Sequence, residues 1–265
     1  MFAKVAVLCL VAIASVTAAP NRVVGGSNAE DGAYPYQVSV QYGYSLLHSH
    51  ICGGSILNNK WILTAGHCIT EVPHLPFADY YIVAGINNLK DKNRQTIKVK
   101  RNIVHPDYEG GVNANDLGLF ELESELNFND KVQPIALPTA GSIPSGDATL
   151  TGWGSTSTSV IPNSPSDLQE VVVPVVPIEE CREALIESSG DAGPLVDTNV
   201  CTGPLSGGLS ACSGDSGGPL VAKEGDNTVQ IGVVSWGMIP CGQENAPSVF
   251  VRVSAFNDFI NEHIN

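Results

Sequence analysis

Residues 214–219 read Gly-Asp-Ser-Gly-Gly-Pro and run directly into the apolar Leu220-Val221-Ala222. A serine hydroxyl is a weak nucleophile at its free pKa. Chemistry at Ser216 therefore needs a neighbouring base, a turn tight enough to expose the oxygen, and N–H donors for the oxyanion that forms. Glycines around Ser216 allow all of this, and the following apolar run has the character of a strand. Upstream, Leu63-Thr64-Ala65-Gly66-His67-Cys68 follows the β-like Trp61-Ile62. A histidine at a strand end, braced by a neighbouring disulfide, is placed to act as a general base near neutral pH. Between the two lies Asn115-Asp116-Leu117-Gly118-Leu119-Phe120, an acid opening an alternating apolar segment. A carboxylate buried there can fix a histidine's tautomer and stabilise its cation. Alone, Asp116 reads as a turn former and His67 as structural, the reading given to His48, His74, His105 and His263. The order His, Asp, Ser makes the three a set.

The rest of the 265-residue chain agrees with a β-rich, exported protein. Its 27 glycines and 17 prolines, with many Val, Thr and Ser residues, favour short strands joined by turns. Lys4, the apolar run Val5–Val16 and the small residues Thr17, Ala18 and Ala19 have the form of a secretory signal peptide over 1–18, too short to span a bilayer. Export to an oxidising compartment lets six of the seven cysteines persist as disulfides once Cys9 is removed with the signal peptide. Fifteen pairings are open to six cysteines. No CxxC occurs, which argues against zinc. The net charge of −14 repels nucleic acid and anionic membranes. Removing residues 1–22 takes away two basic residues, Lys4 and Arg22, and no acid.

The three segments, together with Val23-Val24-Gly25-Gly26 and Ser235-Trp236-Gly237, resemble the chymotrypsin family of serine endopeptidases over the whole of 23–265. The resemblance implies an all-β fold of two antiparallel six-stranded β-barrels, over about 23–130 and 131–252, with a C-terminal helix over about 254–264. Ser254 fits as that helix's N-cap, and Phe256, Phe259 and Ile260 as its apolar face. The implied catalytic set is His67, Asp116 and Ser216, with the N–H groups of Gly214 and Ser216 as the oxyanion hole. The implied disulfides are Cys52–Cys68, Cys181–Cys201 and Cys212–Cys241. Three bridges and a propeptide without cysteine look more like the invertebrate relatives. The stretch Gly85-Ile86-Asn87-Asn88-Leu89-Lys90 lacks the first acid of the calcium loop found in trypsin-like relatives, so neither metal nor other cofactor is expected.

By the same resemblance, residues 19–22 form an activation propeptide cut after Arg22, and the new ammonium of Val23 pairs with Asp215. Ser39 and His50 match the residues that hold that acid before the cut. Ser210, six positions before the nucleophile, would form the floor of the specificity pocket, with Ser235, Trp236, Gly237 and Ser248 around it. A floor without a carboxylate implies cleavage after Phe, Tyr, Leu or Met, with elastase-like preference for small side chains as the alternative. A non-catalytic homologue acting as a binding partner is the rival from another class. The expected protein is a secreted extracellular monomer with a digestive role. Its expected partners are protein or peptide substrates, an activating trypsin-like protease and protein protease inhibitors, with no nucleic acid and no membrane.

Overall fold

Alternation of apolar and polar residues sets the strands. In β2, Gln37–Tyr44, Val38 and Val40 are fully buried, and opposite them on β3, Leu47–Ile56, lie Gly54 and Cys52. The computed structural model describes residues 24–45 and 47–264. The signal peptide, the propeptide, Arg22 and Val23 lie outside the described residues.

Four more strands complete the first barrel: β4 Trp61–Thr64, β5 Asp79–Ala84, β6 Gln95–Val104 and β7 Gly118–Leu122. They follow the order β2-β3-β4-β7-β6-β5, and pairing of Val38 with Ala84 closes the ring. The second barrel is built from β8 Asp147–Gly152, β9 Gln169–Val176, β10 Asn199–Thr202, β11 Pro219–Glu224, β12 Asn227–Trp236 and β13 Ser248–Arg252. It runs β9-β10-β13-β12-β11-β8 and closes through the β8–β9 ladder. Every ladder between named strands is antiparallel. The short β1, Ser27–Asn28, precedes the first barrel in sequence yet pairs with Glu170 and Gln169 of β9.

Ile62, Leu63, Leu119 and Phe120 of β4 and β7 are 0 % exposed. Burying each such side chain contributes about 1.5–3 kcal/mol, so the strand ends that carry His67 and Asp116 are held rigidly. The same apolar cluster takes in Val233, Val251, Phe256 and Ile260, joining the first barrel to the second and to the C-terminal helix. Among the described residues no helix is long and apolar enough to cross a membrane.

Two local expectations change. The C-terminal helix spans Asn257–Ile264, and Ser254 falls in a preceding 3-10 turn, where its hydroxyl donates to the Ser142 carbonyl at 2.5 Å instead of capping the helix. A 12-residue helix, Ile178–Ser189, was not anticipated. Its signals are Pro177 before the first turn, Glu179 and Glu180 within it, and Gly190 ending it at φ 91°.

Candidate active site

Beyond β4 the chain turns through Ala65-Gly66 into a four-residue helix, His67–Thr70, which the Cys52–Cys68 disulfide ties to β3. The other bridges are Cys181–Cys201 and Cys212–Cys241, the pairing implied by the resemblance. Asp116 stands just before β7. Its Oδ2 accepts the ring Nδ1–H of His67 at 2.7 Å and the Ser235 hydroxyl at 2.6 Å, while Oδ1 accepts the His67 main-chain N–H at 2.8 Å. A carboxylate only accepts, so Nδ1 carries a proton, and in the neutral ring the lone pair is on Nε2. The His67 side chain is 20 % exposed and that of Asp116 only 2 %, so one end of the imidazole is buried on its acid and the other can meet a ligand.

The two barrels touch through bare backbone where Ser216 sits. The Ser216 carbonyl accepts the Gly53 N–H at 2.8 Å. A Cβ on Gly217, whose φ is 75°, would collide with Thr64 Oγ1 and come within 2.7 Å of the Gly53 carbonyl. Among the described residues no hydrogen bond joins Ser216 Oγ to His67. Such contacts are commonly loose in free enzymes and tighten with substrate bound.

Asp215 points away from this cleft and is 0 % exposed. Among the described residues its oxygens accept main-chain N–H groups alone, Gly154 at 2.8 Å and Cys212 at 3.0 Å. Burial pushes its carboxyl up to about 6, against the opposing pull of those two bonds. Gly152 and Gly154 flank Trp153 as bare backbone, and a side chain on either would fall inside the Asp215 carboxylate. The motif Gly-Trp-Gly carries that signal in the sequence, but only contact with Asp215 gives it meaning. Val24 is 1 % exposed and accepts the Ser210 N–H at 3.3 Å, so the chain just after Val23 is seated in the second barrel.

Ser39 and His50 come together, but not on Asp215. Ser39 Oγ lies 2.8 Å from His50 Nδ1, and His50 Nε2 lies 3.0 Å from the Gly214 carbonyl. A carbonyl requires a donor, so Nε2 carries the proton, and burial lowers the pKa of His50 and keeps the ring neutral. Ser39 then donates to Nδ1 and accepts Gln41 Nε2–H at 3.0 Å, and Gln41 Oε1 accepts His48 Nδ1–H at 2.6 Å. The role expected for Ser39 and His50 on Asp215 concerns the chain before cleavage; here the pair stands on the Gly214 carbonyl. Because the Asp215 carboxylate is turned into the Gly152–Gly154 cradle, the pair holds the backbone one residue earlier.

The cleft beside Ser216 is lined by Ser235, Trp236, Gly237, Met238 and Ile239 among others, and among the described residues no charged side chain lines it. Ser210 and Ser248, expected at its floor, are not among the lining residues; they bond to each other and to the backbone of Ala211, which does line the cleft. Ser210 donates to the Ala211 carbonyl at 2.6 Å, Ser248 Oγ accepts the Ala211 N–H at 3.0 Å, and the hydroxyls lie 3.0 Å apart. Both are buried. Sequence reasoning missed Met238 and Ile239, whose only signal is that they follow Gly237. The grouping of Cys52, His67 and Cys68 is no metal centre, because the disulfide consumes both thiolates.

The sequence matches the family described as Trypsin over residues 23–260. It is similar to Trypsin-1 of Astacus astacus, 38 % identical over 90 % of this chain and 98 % of that protein. It is also similar to Lectizyme of Glossina austeni, 36 % identical over 99 % of this chain and 93 % of that protein. Serine proteinase stubble of Drosophila melanogaster is 38 % identical over 92 % of this chain and 31 % of its own length. The chain belongs to the trypsin family of serine endopeptidases, with the double-barrel fold and three disulfides of that class.

Proposed function

We propose that the protein is a secreted endopeptidase, made as a precursor, that cleaves polypeptides after large apolar residues using Ser216, His67 and Asp116. His67 Nε2 takes the Ser216 proton as Oγ attacks the scissile carbonyl, and Asp116 offsets the charge gained by the imidazole. The N–H groups of Gly214 and Ser216 receive the oxyanion. Collapse of the intermediate expels the amine, which takes the proton from His67, and water then releases the acyl group by the same steps in reverse.

The observation that supports this specificity is a cleft whose lining residues carry no charge, with the bonded hydroxyls of Ser210 and Ser248 next to its Ala211 wall. A guanidinium buried there would lack a counter-ion, whereas an apolar side chain gains about 25 cal/mol per Å² removed from water. An elastase-like preference for small side chains is the alternative reading. The seated Val24 supports activation by cleavage after Arg22, placing a new Val23 ammonium near the Asp215 carboxylate. That cut needs a trypsin-like activator, since this pocket does not suit arginine.

The test is to incubate the precursor alone and with trace trypsin, sequence the new N-terminus, block the trypsin, and compare Phe, Leu, Ala and Arg substrates. Phe or Leu should exceed Arg by powers of ten, and Ala best of all would select the elastase-like reading. Rapid self-cleavage at Arg22, or equal rates on Phe and Arg, would overturn the pocket assignment.

A further inference from the structure

On a chain of net charge −14, six of the 13 basic residues fall within Lys90–Arg101. Three of the six are ion-paired locally: Lys98 with Asp79, and Lys100 and Arg101 together with Glu121. Lys90, Lys92 and Arg94 form no ion pair among the described residues. They line a cavity of about 580 Å³ with Gln41 and His48 on its opposite wall, within the size range of ligand-binding clefts. The one acid in the lining, Asp91, is turned into its own loop, where its Oδ2 accepts the N–H groups of Asn87 and Asn88 at 3.1 and 2.8 Å. Further main-chain bonds fix that loop, Lys90 N–H to Asn88 Oδ1 at 2.9 Å and Leu89 N–H to the Ser166 carbonyl at 2.8 Å. The lysines therefore project from a pre-ordered frame, which limits the ordering cost of binding. His48 reports the sign of the field. It stacks on Tyr81, and its pKa is lowered first by burial and then by the charge of Arg94.

We infer that this groove is a docking site for an acidic segment of a polypeptide partner, held by Lys90, Lys92 and Arg94. The choice of a polypeptide rests on the endopeptidase reading and on position. His50, which lines the groove, also bonds the Gly214 carbonyl, so the groove backs onto the segment that carries Ser216. Lys90, Lys92 and Arg94 alternate with Asp91 and Asn93 along the chain, a spacing that suits separated carboxylates better than densely sulfated sugar. On a surface that otherwise repels acidic proteins, one unpaired cationic groove supplies both steering and selection.

The test separates docking from turnover by using the Ser216→Ala protein for binding. The probe is a fluorescein-labelled peptide with six glutamates spaced by glycine and serine, compared with its glutamine counterpart and a heparin-derived oligosaccharide. The glutamate peptide should bind about tenfold or more tighter than the glutamine one. It should lose that advantage in Lys90→Glu/Lys92→Glu and between 50 and 300 mM salt, about the range over which surface charges become screened. Arg94 is kept because its guanidinium bonds the Leu89 carbonyl, and Lys90→Gln/Lys92→Gln serves if the double reversal does not fold. In the active enzyme the same variant should hydrolyse a short chromogenic substrate within about twofold of wild type. Equal binding of the two peptides, binding unchanged in the variant, or capture of the oligosaccharide alone would overturn the inference. None of these outcomes depends on the enzyme being active.

Discussion

Two carboxylates are buried equally in this molecule and housed differently. Asp116 is 1 % exposed and held by three donors, two of them from His67, a side chain that can become a cation. Asp215 is 0 % exposed and held by two backbone N–H groups, with no cationic side chain on it among the described residues. Desolvating a carboxylate costs several kcal/mol unless a charge or enough hydrogen bonds offset it. Asp116 carries its partner within the fold. Asp215 has a cradle of glycines and a carboxyl lifted to about 6, the state of a group whose partner must be supplied. The first housing suits a permanent working group and the second a switch.

The sharpest way to break this contrast is Asp116→Asn. The amide would present an N–H to His67 Nδ1, push the ring proton to Nε2 and remove the base, lowering kcat by roughly 10⁴, the scale found when triads of this family are altered in that way. A loss below tenfold, measured on the cleaved enzyme with folding checked by circular dichroism, would mean that Asp116 does not set the tautomer.

Asp215→Asn should act in opposite directions before and after cleavage. In the cleaved enzyme it strands the proposed ammonium of Val23, at a cost of about 3–5 kcal/mol, so activity should fall by at least about a hundredfold. In the uncleaved chain it removes an unpaired buried acid. The folded carboxyl at about 6 lies above its ordinary value of 3.8, so between those values the folded state binds more protons than the unfolded one. Stability therefore declines as pH rises from about 4 to 6, by roughly 3 kcal/mol in total. The asparagine variant should lack that decline, and so should the cleaved wild type, in which the ammonium favours the charged form. Superimposable Tm–pH curves for uncleaved wild type and Asp215→Asn would remove the distinction between the two housings.

Much of the first housing was legible in the sequence, because the Asp116 and His67 motifs sit at the ends of strands whose apolar alternation fixes their place. The second was half legible. Ser216 names Asp215 by adjacency, but Gly152 and Gly154 lie more than 60 residues away in sequence, and only the closing of β8 against β11 brings the cradle to the acid. Ser39 and His50 are legible as a pair, but Ser39 stands opposite Gly53 and His50 opposite Gln41 across a register shift, so the strand pattern does not say which main-chain atom, here the Gly214 carbonyl, lies beyond them. The bonded pair Ser210 and Ser248 divides likewise. Ser210 follows from its spacing to Ser216, while the hydrogen bond from Ser248 depends on the path of the loop after Cys241.

The housings can also be compared through their glycines. Gly154→Ala would put a methyl inside the Asp215 carboxylate, with no side chain free to give way, and should abolish activation after cleavage at Arg22. Gly66→Ala would place its methyl 2.8 Å from the Tyr108 ring and 3.2 Å from Asp116 Oδ1. That ring belongs to a half-buried side chain that can shift, so a loss of about tenfold in kcat/KM is expected, in line with a modest overpacking cost. Equal losses in the two variants would argue that neither cradle is specific.

The smallest effect should come from Ser235→Ala, which removes one of the three donors to Asp116. A hydrogen bond to a charged group contributes about 1.5–3 kcal/mol when lost outright, but here both bonds from His67 remain and the carboxylate is not orphaned. The loss should fall at the low end, about tenfold in kcat. Because Ser235 also lines the cleft, kcat and KM must be separated, with a change in kcat marking the contact to Asp116 and a change in KM alone marking a substrate contact. No equivalent substitution exists for Asp215, whose donors belong to the backbone and cannot be deleted by changing a side chain. A loss beyond 10³ in Ser235→Ala would mean that the hydroxyl holds Asp116 in place by itself, and the first housing would then be as brittle as the second.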